Sequence, residues 1–288
     1  MYNRPVKLVV LPMLFGLIGY PISKSFSRPY FTEKFKEMRL NNTHEYRNFE
    51  LQDLSLFPEI IEVHPELRGL NVTIPHKQAV MQYLDEIDPA AELIGAVNTI
   101  LVKNGKTKGF NTDLIGFQKD FSDFIGYQSS HVVRLSGSGG GPDYKVTASA
   151  GIQPDNPFRK AVDRRAMVLG TGGASLAIRE ALRQLEIPTT LVSRSPGPDR
   201  ITYEQIDANV MEVHRYLINC TPLGSIYRQD ECPALPYQKM NEKHFCYDLV
   251  YNPTETLFLR HARNEGAQTR NGIGMLREQA EAAWEIWS

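Results

Sequence analysis

Three glycines, Gly170, Gly172 and Gly173, stand in a pattern that suits the binding of a pyrophosphate. Because glycine lacks a Cβ atom, the backbone N–H groups of such a turn can approach an anion closely. The amphipathic segment from Ala174 onward predicts a helix, whose positive end would add to the attraction. The run Gly-x-Gly-Gly-Ala is shorter than the full Gly-x-Gly-x-x-Gly pattern, and glycine-rich loops also arise by chance. The pattern predicts a dinucleotide-binding loop, which its surroundings must support.

A short polar loop, Ser193-Arg194-Ser195, follows the next apolar run, residues 189–192. In dinucleotide-binding folds the adenosine ribose lies against a residue roughly 20 positions after the first glycine. A site for NAD would want an acid there, whereas Arg194 between two hydroxyls suits the extra phosphate of NADP through charge-assisted hydrogen bonds. The other interpretation of Arg194 is a solvated loop cation, and this stretch alone leaves both open.

Three further polar clusters stand beside apolar runs in the first half of the chain: residues 23–27, residues 71–77, and Asn98 with Asp113. Open α/β sheets bind ligands at the ends of their strands, so the positions favour a binding site. Each cluster also has an ordinary structural explanation, since serines and aspartates cap helices and a lysine at a helix start is often a solvated cation. Only their combination favours chemistry.

The spacing of apolar residues predicts alternating strands and helices up to about Asp113, the pattern of βαβ units and a mostly parallel sheet. The predicted strands lie over residues 14–18, near Tyr46 and at 70–72, with helices between them and another after Lys77. Residues 96–102 and 107–110 differ, because Asn104-Gly105 between them favours a type I′ hairpin turn. A parallel sheet with an antiparallel edge is expected.

The second half of the chain repeats this alternation. Continuous apolar runs, typical of strands covered on both faces, occupy residues 167–169, 189–192, 216–218 and 245–249. Residues 275–287 place apolar side chains at helical spacing, which predicts a final helix that covers a sheet.

Serine, glycine and proline accumulate between Gly126 and Arg164. Their density predicts a mobile surface insertion over residues 127–163, with an ordered lid as the alternative. The glycine run at residues 136–141 imitates a second phosphate loop, but no amphipathic helix follows it.

Composition limits the classes of protein to which this chain can belong. The chain has 288 residues, 42% hydrophobic and 23% charged, which is enough for two packed cores. Its 32 Lys and Arg against 33 Asp and Glu argue against a nucleic-acid surface or a polybasic membrane anchor, so small molecules are the expected partners of a monomer or homodimer. Three irregularly spaced cysteines predict reduced thiols in a cytoplasmic protein, and no metal is expected. Residues 8–20 are too short to span a bilayer and contain Pro12, so export is not expected.

Eight motifs follow one another along the chain. They are Gly19-Tyr-Pro-Ile-Ser-Lys-Ser-Phe-Ser27, Asn71-Val-Thr-Ile-Pro-His-Lys77, Gly95-Ala-Val-Asn-Thr99, Asn111-Thr-Asp113, Gly170-Thr-Gly-Gly-Ala174, Asn219-Cys-Thr-Pro-Leu-Gly224, Asp248-Leu-Val-Tyr251 with Pro253 and Thr254, and Asn271-Gly-Ile-Gly-Met-Leu276 with Gln279. In this order they resemble the shikimate dehydrogenase family over nearly the whole chain. The order of eight motifs is far more specific than any one of them.

The resemblance implies two catalytic residues, Lys77 and its partner Asp113. Hydride arriving at a carbonyl carbon leaves an alkoxide, which an ammonium group within hydrogen-bond reach would both stabilise and protonate. Ser25 and Ser27 match the serine pair that binds the substrate carboxylate, with hydrogen bonds to the charged group worth about 1.5–3 kcal/mol each. The positions that match those holding the ring hydroxyls are Thr73, Asn98 and Gln279.

On the cofactor side, the resemblance implies that NADP is bound by the glycine loop, by the ribose loop and by two residues near the nicotinamide. The residues so assigned are Gly170, Thr171, Gly172, Gly173, Ala174, Ser193, Arg194, Ser195, Tyr251 and Gly272. Tyr251 could equally be a core aromatic residue. The family usually has a second basic residue soon after the arginine, whereas Pro196 and Pro198 stand here, which weakens the preference for NADP over NAD. Arg28, Phe31 and Thr32 also depart from the family's residues after the serine pair, which concerns helix packing.

Together these observations predict a two-domain α/β enzyme. A mostly parallel substrate domain would comprise residues 1–114 and 272–288, with the C-terminal helix returning to it, and a Rossmann-like NADP-binding domain residues 115–271. The activity implied by the resemblance is NADPH-dependent reduction of 3-dehydroshikimate to shikimate, in the cleft between the domains, as a step of aromatic amino-acid biosynthesis. The alternatives are an NAD-dependent quinate/shikimate dehydrogenase and a catalytically silent relative that only binds these ligands.

Overall fold

The computed structural model describes residues 12–23, 25–126 and 164–288. The chain divides into two compact units, one comprising residues up to Asn111 together with Trp287 and the other Thr112–Ile286 with Ser288. The predicted domains, residues 1–114 with 272–288 and residues 115–271, stay a prediction. The predicted insertion over 127–163 lies outside the described residues. Within the described ranges, no helix is long and apolar enough to cross a membrane.

The first unit alternates strands and helices. Its elements are β1 Met13–Gly19, α1 Ser27–Glu37, β2 His44–Glu50, α2 Phe57–Val63, β3 Leu67–Val72, β4 Glu86–Ile87, α3 Pro89–Ile94, β5 Thr99–Lys103 and β6 Lys106–Phe110. Short 3-10 helices lie at Leu54–Leu56 and Ala79–Tyr83, and the second of these is the helix expected after Lys77.

The sheet of the first unit has the strand order β2-β1-β3-β5-β6-β4. Strand β1 runs parallel to both β2 and β3, and β5 and β6 form the antiparallel hairpin. Asn104 and Gly105 have φ values of 53° and 74°, as a type I′ turn requires. The hairpin is not the edge, however, because β4 pairs in parallel with β6. The Asp85 carboxylate holds β4 there by accepting hydrogen bonds from the Thr107 N–H and hydroxyl at 2.9 and 3.0 Å.

A cluster of large rings fills one side of this sheet. Phe31 and Phe35 of α1 are almost fully buried, as their helical spacing predicts. The indole of Trp287 lies 5.3 Å from the rings of both Phe15 and Phe31 and donates to the Ile100 carbonyl at 3.0 Å. A side chain at Gly69 would collide with this indole, so glycine is required there.

The second unit is an all-parallel sheet flanked by helices. Its elements are α4 Thr112–Phe124, β7 Arg165–Leu169, α5 Gly173–Gln184, β8 Thr189–Ser193, β9 Arg200–Thr202, α6 Ala208–Val213, β10 His214–Asn219, β11 Phe245–Asp248, α7 Leu257–Asn264, β12 Gln268–Asn271 and α8 Ile273–Trp287. The strand order β12-β11-β10-β7-β8-β9 reverses direction between β10 and β7. Open parallel sheets bind ligands outside the carboxyl ends of the strands at such a switch point.

The glycine loop joins a strand and a helix that are both deeply buried. Residues 166–169 of β7 have no exposed surface, and the same is true of Ala177, Ile178, Ala181 and Leu182 on α5. The strand, glycine turn and amphipathic helix predicted from the sequence are therefore confirmed.

Helices α4 and α8 pack closely at Gly116, because glycine has no side chain. A Cβ atom there would come within 2.6 Å of the Met275 carbonyl oxygen. The Asp120 carboxylate accepts hydrogen bonds from the Tyr247 hydroxyl at 2.5 Å and from Arg270 at 3.1 Å. It also contacts Gly274 in the first turn of α8. These contacts fix where α8 begins relative to α4.

Candidate active site

Three of the predicted substrate segments meet at one edge of the first sheet. Strands β1 and β3 are parallel, so the residues after Gly19 and after Val72 emerge on the same edge, and antiparallel β5 begins there. Backbone hydrogen bonds join the segments. The Thr73 N–H donates to the Ile18 carbonyl at 2.9 Å, and the Val72 N–H donates to the Asn98 backbone carbonyl at 2.8 Å. The strand order of the sheet therefore places these three segments side by side.

The predicted serine pair lies on the turn that leads into α1. Ser25 is half-buried and Ser27 is 8% exposed. The Ser25 hydroxyl accepts a hydrogen bond from the Ser27 N–H at 3.3 Å, which holds the turn together. The turn therefore links the two serines directly.

Lys77 lies at the end of the segment that follows β3. Its backbone carbonyl accepts a hydrogen bond from Val97 N–H at 2.7 Å. The preceding His76 is 4% exposed, and its Nε2 bonds to the Leu51 carbonyl at 2.7 Å, which requires Nε2 to donate. Lys77 and Thr73 are both half-buried. The segment that carries the predicted proton donor is therefore tied down on both sides.

A buried chain of hydrogen bonds runs from Tyr46 to Asn98, and sequence reasoning missed its first three members. The Tyr46 hydroxyl donates to Asn71 Oδ1 at 2.7 Å, Asn71 Nδ2 donates to the Thr99 hydroxyl at 3.5 Å, and Thr99 donates to Asn98 Oδ1 at 3.1 Å. None of these four side chains is more than 4% exposed. Asn71 and Thr99 belong to recognised motifs, but nothing in the sequence around Tyr46 marks its partner.

Asp113 and Gln279 belong to the second unit. Asp113 is 7% exposed and stands in the first turn of α4, while Gln279 is 7% exposed on α8. Thr112, next to Asp113, donates its hydroxyl hydrogen to Gln279 Oε1 at 3.5 Å. This hydrogen bond joins residues 167 positions apart and places Gln279 beside the first turn of α4, which carries Asp113.

The glycine loop has the shape that a pyrophosphate needs. Gly170 has a φ of 104°, a value that disfavours any residue with a Cβ atom. Helix α5 begins at Gly173, and the Ser175 hydroxyl donates to the Gly172 carbonyl at 2.6 Å. A Cβ atom built at Gly172 or Gly173 would meet nothing within 4 Å, so the space above the helix end is open. Backbone N–H groups at a helix N-terminus facing open space fit an anionic ligand.

The ribose loop follows β8, the neighbour of β7 in the sheet. Ser195 N–H donates to the Ser193 hydroxyl at 3.3 Å, and Arg194 is exposed. Burial raises the pKa of Tyr203, and the nearby positive charge of Arg194 acts in the opposite direction. An exposed guanidinium flanked by two hydroxyls fits the additional phosphate of NADP. The donor set and the glycine loop together fit that cofactor.

Behind the glycine loop lies a second buried network, which we call the Asp248 network. It consists of Asn219, Thr221, Asp248 and Thr256. The carboxylate of Asp248 accepts from Asn219 Nδ2 at 2.9 Å, from Val250 N–H at 3.0 Å and from the Thr256 hydroxyl at 2.6 Å. Burial raises the pKa of Asp248 to about 6, and these hydrogen bonds oppose the shift.

The Asp248 network holds the loop that follows β10 in one conformation through hydrogen bonds. Asn219 Oδ1 accepts hydrogen bonds from both the N–H and the hydroxyl of Thr221, at 3.0 and 2.6 Å. Thr221 in turn lies against Gly170, where a Cβ atom would come within 2.9 Å of its methyl group. The loops on the two sides of the switch point are therefore packed on each other. Asp248 belongs to one of the family motifs, but no sequence pattern indicated this role or identified a partner for the carboxylate.

The two residues predicted near the nicotinamide also lie at this edge of the second sheet. Tyr251 is half-buried just beyond β11, and burial raises its pKa. Gly272 is buried beyond β12, and its N–H donates to the Val250 carbonyl at 3.2 Å. Every predicted cofactor residue therefore lies at or shortly beyond the carboxyl end of a parallel strand.

Lys77 falls in the first unit and Asp113 in the second, so their predicted partnership stays a prediction. A shallow groove elsewhere in the first unit, between Phe57, Tyr83 and the β5–β6 turn, contains none of the predicted site residues.

Cys220, Cys232 and Cys246 are free thiols, as predicted. Burial raises the pKa of Cys220 and Cys246, which makes those two poor nucleophiles.

Comparison with known proteins adds independent support. A model of the shikimate dehydrogenase substrate binding domain matches residues 17–100. The chain is 35% identical to shikimate dehydrogenase (NADP(+)) of Methanococcus maripaludis strain S2, covering 100% of this chain and 94% of the relative. It is 34% identical to shikimate dehydrogenase (NADP(+)) of Methanocaldococcus jannaschii, covering 100% and 93%.

A solved structure gives the same result. The crystal structure of shikimate 5-dehydrogenase from Thermus thermophilus in complex with NADP(H) and shikimate is 28% identical, with a TM-score of 0.73, and the match covers 96% of this chain and 93% of that one. The fold class predicted from the motifs, an α/β protein with a Rossmann-like unit, is confirmed. With relatives this similar over its full length, the chain belongs to the shikimate dehydrogenase family.

Proposed function

We propose that this protein is an NADP-dependent shikimate dehydrogenase, which reduces 3-dehydroshikimate to shikimate and catalyses the reverse oxidation. The observation that carries the proposal is the full-length match to curated NADP-dependent relatives. It agrees with the site, since one sheet edge presents hydroxyl, amide and ammonium groups and the other presents an open glycine loop with an exposed arginine.

On the substrate side, the proposed roles follow from the chemistry of each side chain. The hydroxyls of Ser25 and Ser27 would bind the carboxylate of the substrate, with hydrogen bonds to the charged group worth about 1.5–3 kcal/mol each. Thr73, Asn98 and Gln279 would hold the ring hydroxyls. Thr73 and Asn98 lie in segments joined directly by backbone hydrogen bonds, so their spacing is set by the sheet.

Lys77 would supply the proton. Reduction of the ring ketone places negative charge on its oxygen, and an ammonium group at that point stabilises the charge and then transfers a proton to it. The carboxylate of Asp113 would orient this ammonium group. Asp113 is 7% exposed and lies in the first turn of α4, where the helix dipole stabilises the negative charge of a carboxylate.

The residues that would hold NADP are those of the glycine loop and the ribose loop. Backbone N–H groups at residues 172–174 would bind the pyrophosphate. Arg194 would pair with the additional phosphate, with Ser193 and Ser195 beside it. The bound cofactor supplies the hydride, and Tyr251 and Gly272 would line its nicotinamide end.

The decisive experiment is a steady-state assay of the purified protein with shikimate and quinate, each with NADP and NAD. We expect the highest kcat/KM for shikimate with NADP. A preference for quinate or for NAD would instead favour the first alternative, which the single arginine of the ribose loop keeps open. No reduced nicotinamide formed in any combination would leave only a ligand-binding relative.

Replacement of Lys77 tests the proposed proton donor. We expect Lys77→Ala to lower kcat by about two to four orders of magnitude, the range typical of general acid catalysis, with little change in shikimate affinity. Lys103→Ala, which removes an exposed lysine of the same unit, is the matched control and should leave kcat unchanged. Near-native turnover of Lys77→Ala would refute the assignment.

Some expectations remain predictions. The monomeric or homodimeric state and the cytoplasmic location are proposals that rest on composition and on the unpaired thiols. Size-exclusion chromatography with light scattering would decide the first.

A further inference from the structure

The contacts between helices α4 and α8 follow a regular order along both helices. Thr112 at the start of α4 donates to Gln279 Oε1 at 3.5 Å. One turn later, a Cβ atom at Gly116 would come within 2.8 Å of the Gln279 backbone nitrogen. One further turn along α4, the Asp120 carboxylate lies against Gly274, where a Cβ atom would overlap it. Residue numbers rise along α4 as they fall along α8, so the two helices are antiparallel in one defined register.

The Asp120 carboxylate is anchored to the sheet as well as to α8. Its side chain is 12% exposed. Oδ2 accepts a hydrogen bond from the Tyr247 hydroxyl at 2.5 Å, and Oδ1 accepts one from Arg270 at 3.1 Å. The same guanidinium donates to the Asp120 backbone carbonyl at 2.7 Å. Tyr247 lies on β11 and Arg270 on β12, so two neighbouring strands hold this carboxylate in one orientation.

The start of α8 attracts this carboxylate. The first N–H groups of a helix carry partial positive charge, which favours a nearby anion. The first turn of α8 contains no acidic residue. Asn271 Oδ1 accepts a hydrogen bond from the Ile273 N–H at 3.2 Å, but this amide is neutral. The Asp120 carboxylate therefore supplies from α4 the negative charge that complements the start of α8.

Other contacts between the two helices are less able to fix their register. Gly116 permits a close approach, but it has no side chain that would stop the helices sliding. Lys119 and Glu278 form an ion pair at 3.2 Å, and their side chains are 47% and 40% exposed. Exposed ion pairs of this kind contribute little. The largely buried carboxylate of Asp120 is the contact best placed to hold α8 at one position along α4.

This register decides how two predicted site residues lie relative to each other. Asp113 is in the first turn of α4 and Gln279 is on α8, and both are 7% exposed. A helix rises about 1.5 Å per residue, so a slide of one residue would displace Gln279 by about that distance. Hydrogen bonds between nitrogen and oxygen span a range of only about 0.5 Å. A small slide is therefore enough to lose a hydrogen bond to a ligand.

We propose that Asp120 is a positioning residue for substrate recognition, which sets the register of α8 on α4 and so holds Gln279 where it binds a ring hydroxyl of shikimate. This inference rests on the proposed function, in which Gln279 contacts the substrate. Asp120 acts through α8 in this role and not on the reacting atoms. Its loss should weaken shikimate binding and leave the proton transfer assigned to Lys77 unchanged.

The first test is Asp120→Asn, which keeps the shape of the side chain and removes its charge. An amide has a single acceptor oxygen, so its NH2 group must face one of the two donors, Tyr247 or Arg270. We expect the dissociation constant for shikimate, measured by calorimetry, and the KM for shikimate to rise about tenfold, as loss of one oriented hydrogen bond implies. The kcat should stay within a factor of about two, because only binding is affected. Simple destabilisation would not separate KM from kcat in this way.

Asp123→Asn is the matched control. The Asp123 carboxylate is 76% exposed and accepts hydrogen bonds from the same Arg270 at 2.8 and 2.9 Å. This variant also removes a negative charge beside that guanidinium, but it leaves the contact between Asp120 and α8 in place. We expect its shikimate KM to equal that of wild type. An equal rise in both variants would overturn the inference.

The proposal and the proposed function fail in different ways. If Asp120→Asn folds and binds shikimate as tightly as wild-type protein, which itself oxidises shikimate, this inference is wrong and the proposed function stands. If wild-type protein neither binds nor oxidises shikimate, the proposed function itself fails.

The second test asks whether Asp120 acts through Gln279. Residues that act independently show fold-losses that multiply. If Asp120 positions Gln279, the loss of shikimate affinity caused by Gln279→Ala should be smaller in the Asp120→Asn background than in wild type. Losses that multiply would overturn the inference. If Asp120→Asn does not fold, Tyr247→Phe takes its place in the same cycle, because it removes one donor from the carboxylate and keeps the ring, and the same two outcomes decide.

Discussion

Each sheet carries a buried polar network beneath its predicted binding edge, and the two networks differ in one property. The chain from Tyr46 through Asn71 and Thr99 to Asn98 contains only groups that are neutral near pH 7, and burial raises the pKa of Tyr46 well above its usual range. The Asp248 network is built on a carboxylate that has no exposed surface.

This difference decides whether a network can change direction. A chain of hydroxyls and amides can run either way, because each member can exchange the roles of donor and acceptor. An ionised carboxylate only accepts, so Asn219 must donate to Asp248 and must therefore turn its carbonyl oxygen toward Thr221. The neutral network suits a site that adapts to a ligand, whereas the Asp248 network fixes one arrangement of the loop beside the glycine turn.

The two networks also contribute to stability in different ways. In the neutral chain, deletion of one member breaks at most two of the three hydrogen bonds. In the Asp248 network, three donors converge on one side chain. The largest effects of substitution are therefore expected at the carboxylate.

Removal of that carboxylate should cause the largest loss. Asp248→Ala removes the acceptor of three donors, two of them buried, and each buried unsatisfied group costs about 1–3 kcal/mol, so we expect the free energy of unfolding to fall by about 3–5 kcal/mol. Urea denaturation at pH 7 measures it. The control is Asp230→Ala, which removes an exposed carboxylate of the same unit and should change stability little. Equal effects of the two variants would contradict a central role for the Asp248 network.

The pH dependence of stability should distinguish the two networks. Burial raises the pKa of Asp248 from 3.8 to about 6, so the folded protein binds this proton more tightly than the unfolded chain does. The contribution of this group is fully present below pH 3.8 and is lost as the pH rises toward 6. By linkage, a shift of this size corresponds to about 3 kcal/mol.

Asp248→Asn has no such proton. We expect its stability relative to wild type to increase between pH 4 and pH 7, by up to about 3 kcal/mol over that window. The difference between Tyr46→Phe and wild type should stay constant across the same window, because that phenol remains protonated. A constant difference for Asp248→Asn as well would mean that Asp248 titrates in the folded protein as it does in the unfolded chain.

Sequence patterns were sufficient for those features that depend on neighbours along the chain. The alternation of apolar runs predicted both sheets, and Asn104-Gly105 predicted the hairpin, since local backbone preferences decide each. The glycine turn between β7 and α5 was predictable for the same reason. The motifs then placed most candidate residues next to strand ends, although Gln279 lies within α8.

The partners of those residues could not be predicted, because they depend on strand order and on helix packing. Tyr46 meets Asn71 only because β2 and β3 lie on either side of β1. Thr112 meets Gln279 only because Gly116 allows α4 and α8 to approach closely. The small strand β4, which displaces the hairpin from the sheet edge, depends on Asp85 binding Thr107 across 22 positions. Each of these contacts joins residues that no local pattern connects.

The smallest of the expected effects tests whether the Asp248 network transmits its rigidity to the glycine loop. Gly170→Ala places a methyl group within 2.9 Å of the Thr221 methyl carbon, at a φ of 104°. Thr221 is held by two hydrogen bonds to Asn219, so the glycine loop must move instead. We expect the dissociation constant for NADP, measured by fluorescence titration with NADPH and competition with NADP, to rise about tenfold, equivalent to about 1.4 kcal/mol.

The control must separate this contact from backbone strain, which an alanine at positive φ introduces at either site. Gly266 has a φ of 87°, and a Cβ atom there would lie 3.7 Å from its nearest neighbour, an ordinary contact. Gly266→Ala should therefore reduce stability and leave NADP affinity unchanged. If Gly170→Ala also leaves affinity unchanged, Thr221 has yielded to the new methyl group. The Asp248 network would then be no more rigid than the neutral chain of the first unit, and the contrast between a fixed and a reversible network would disappear.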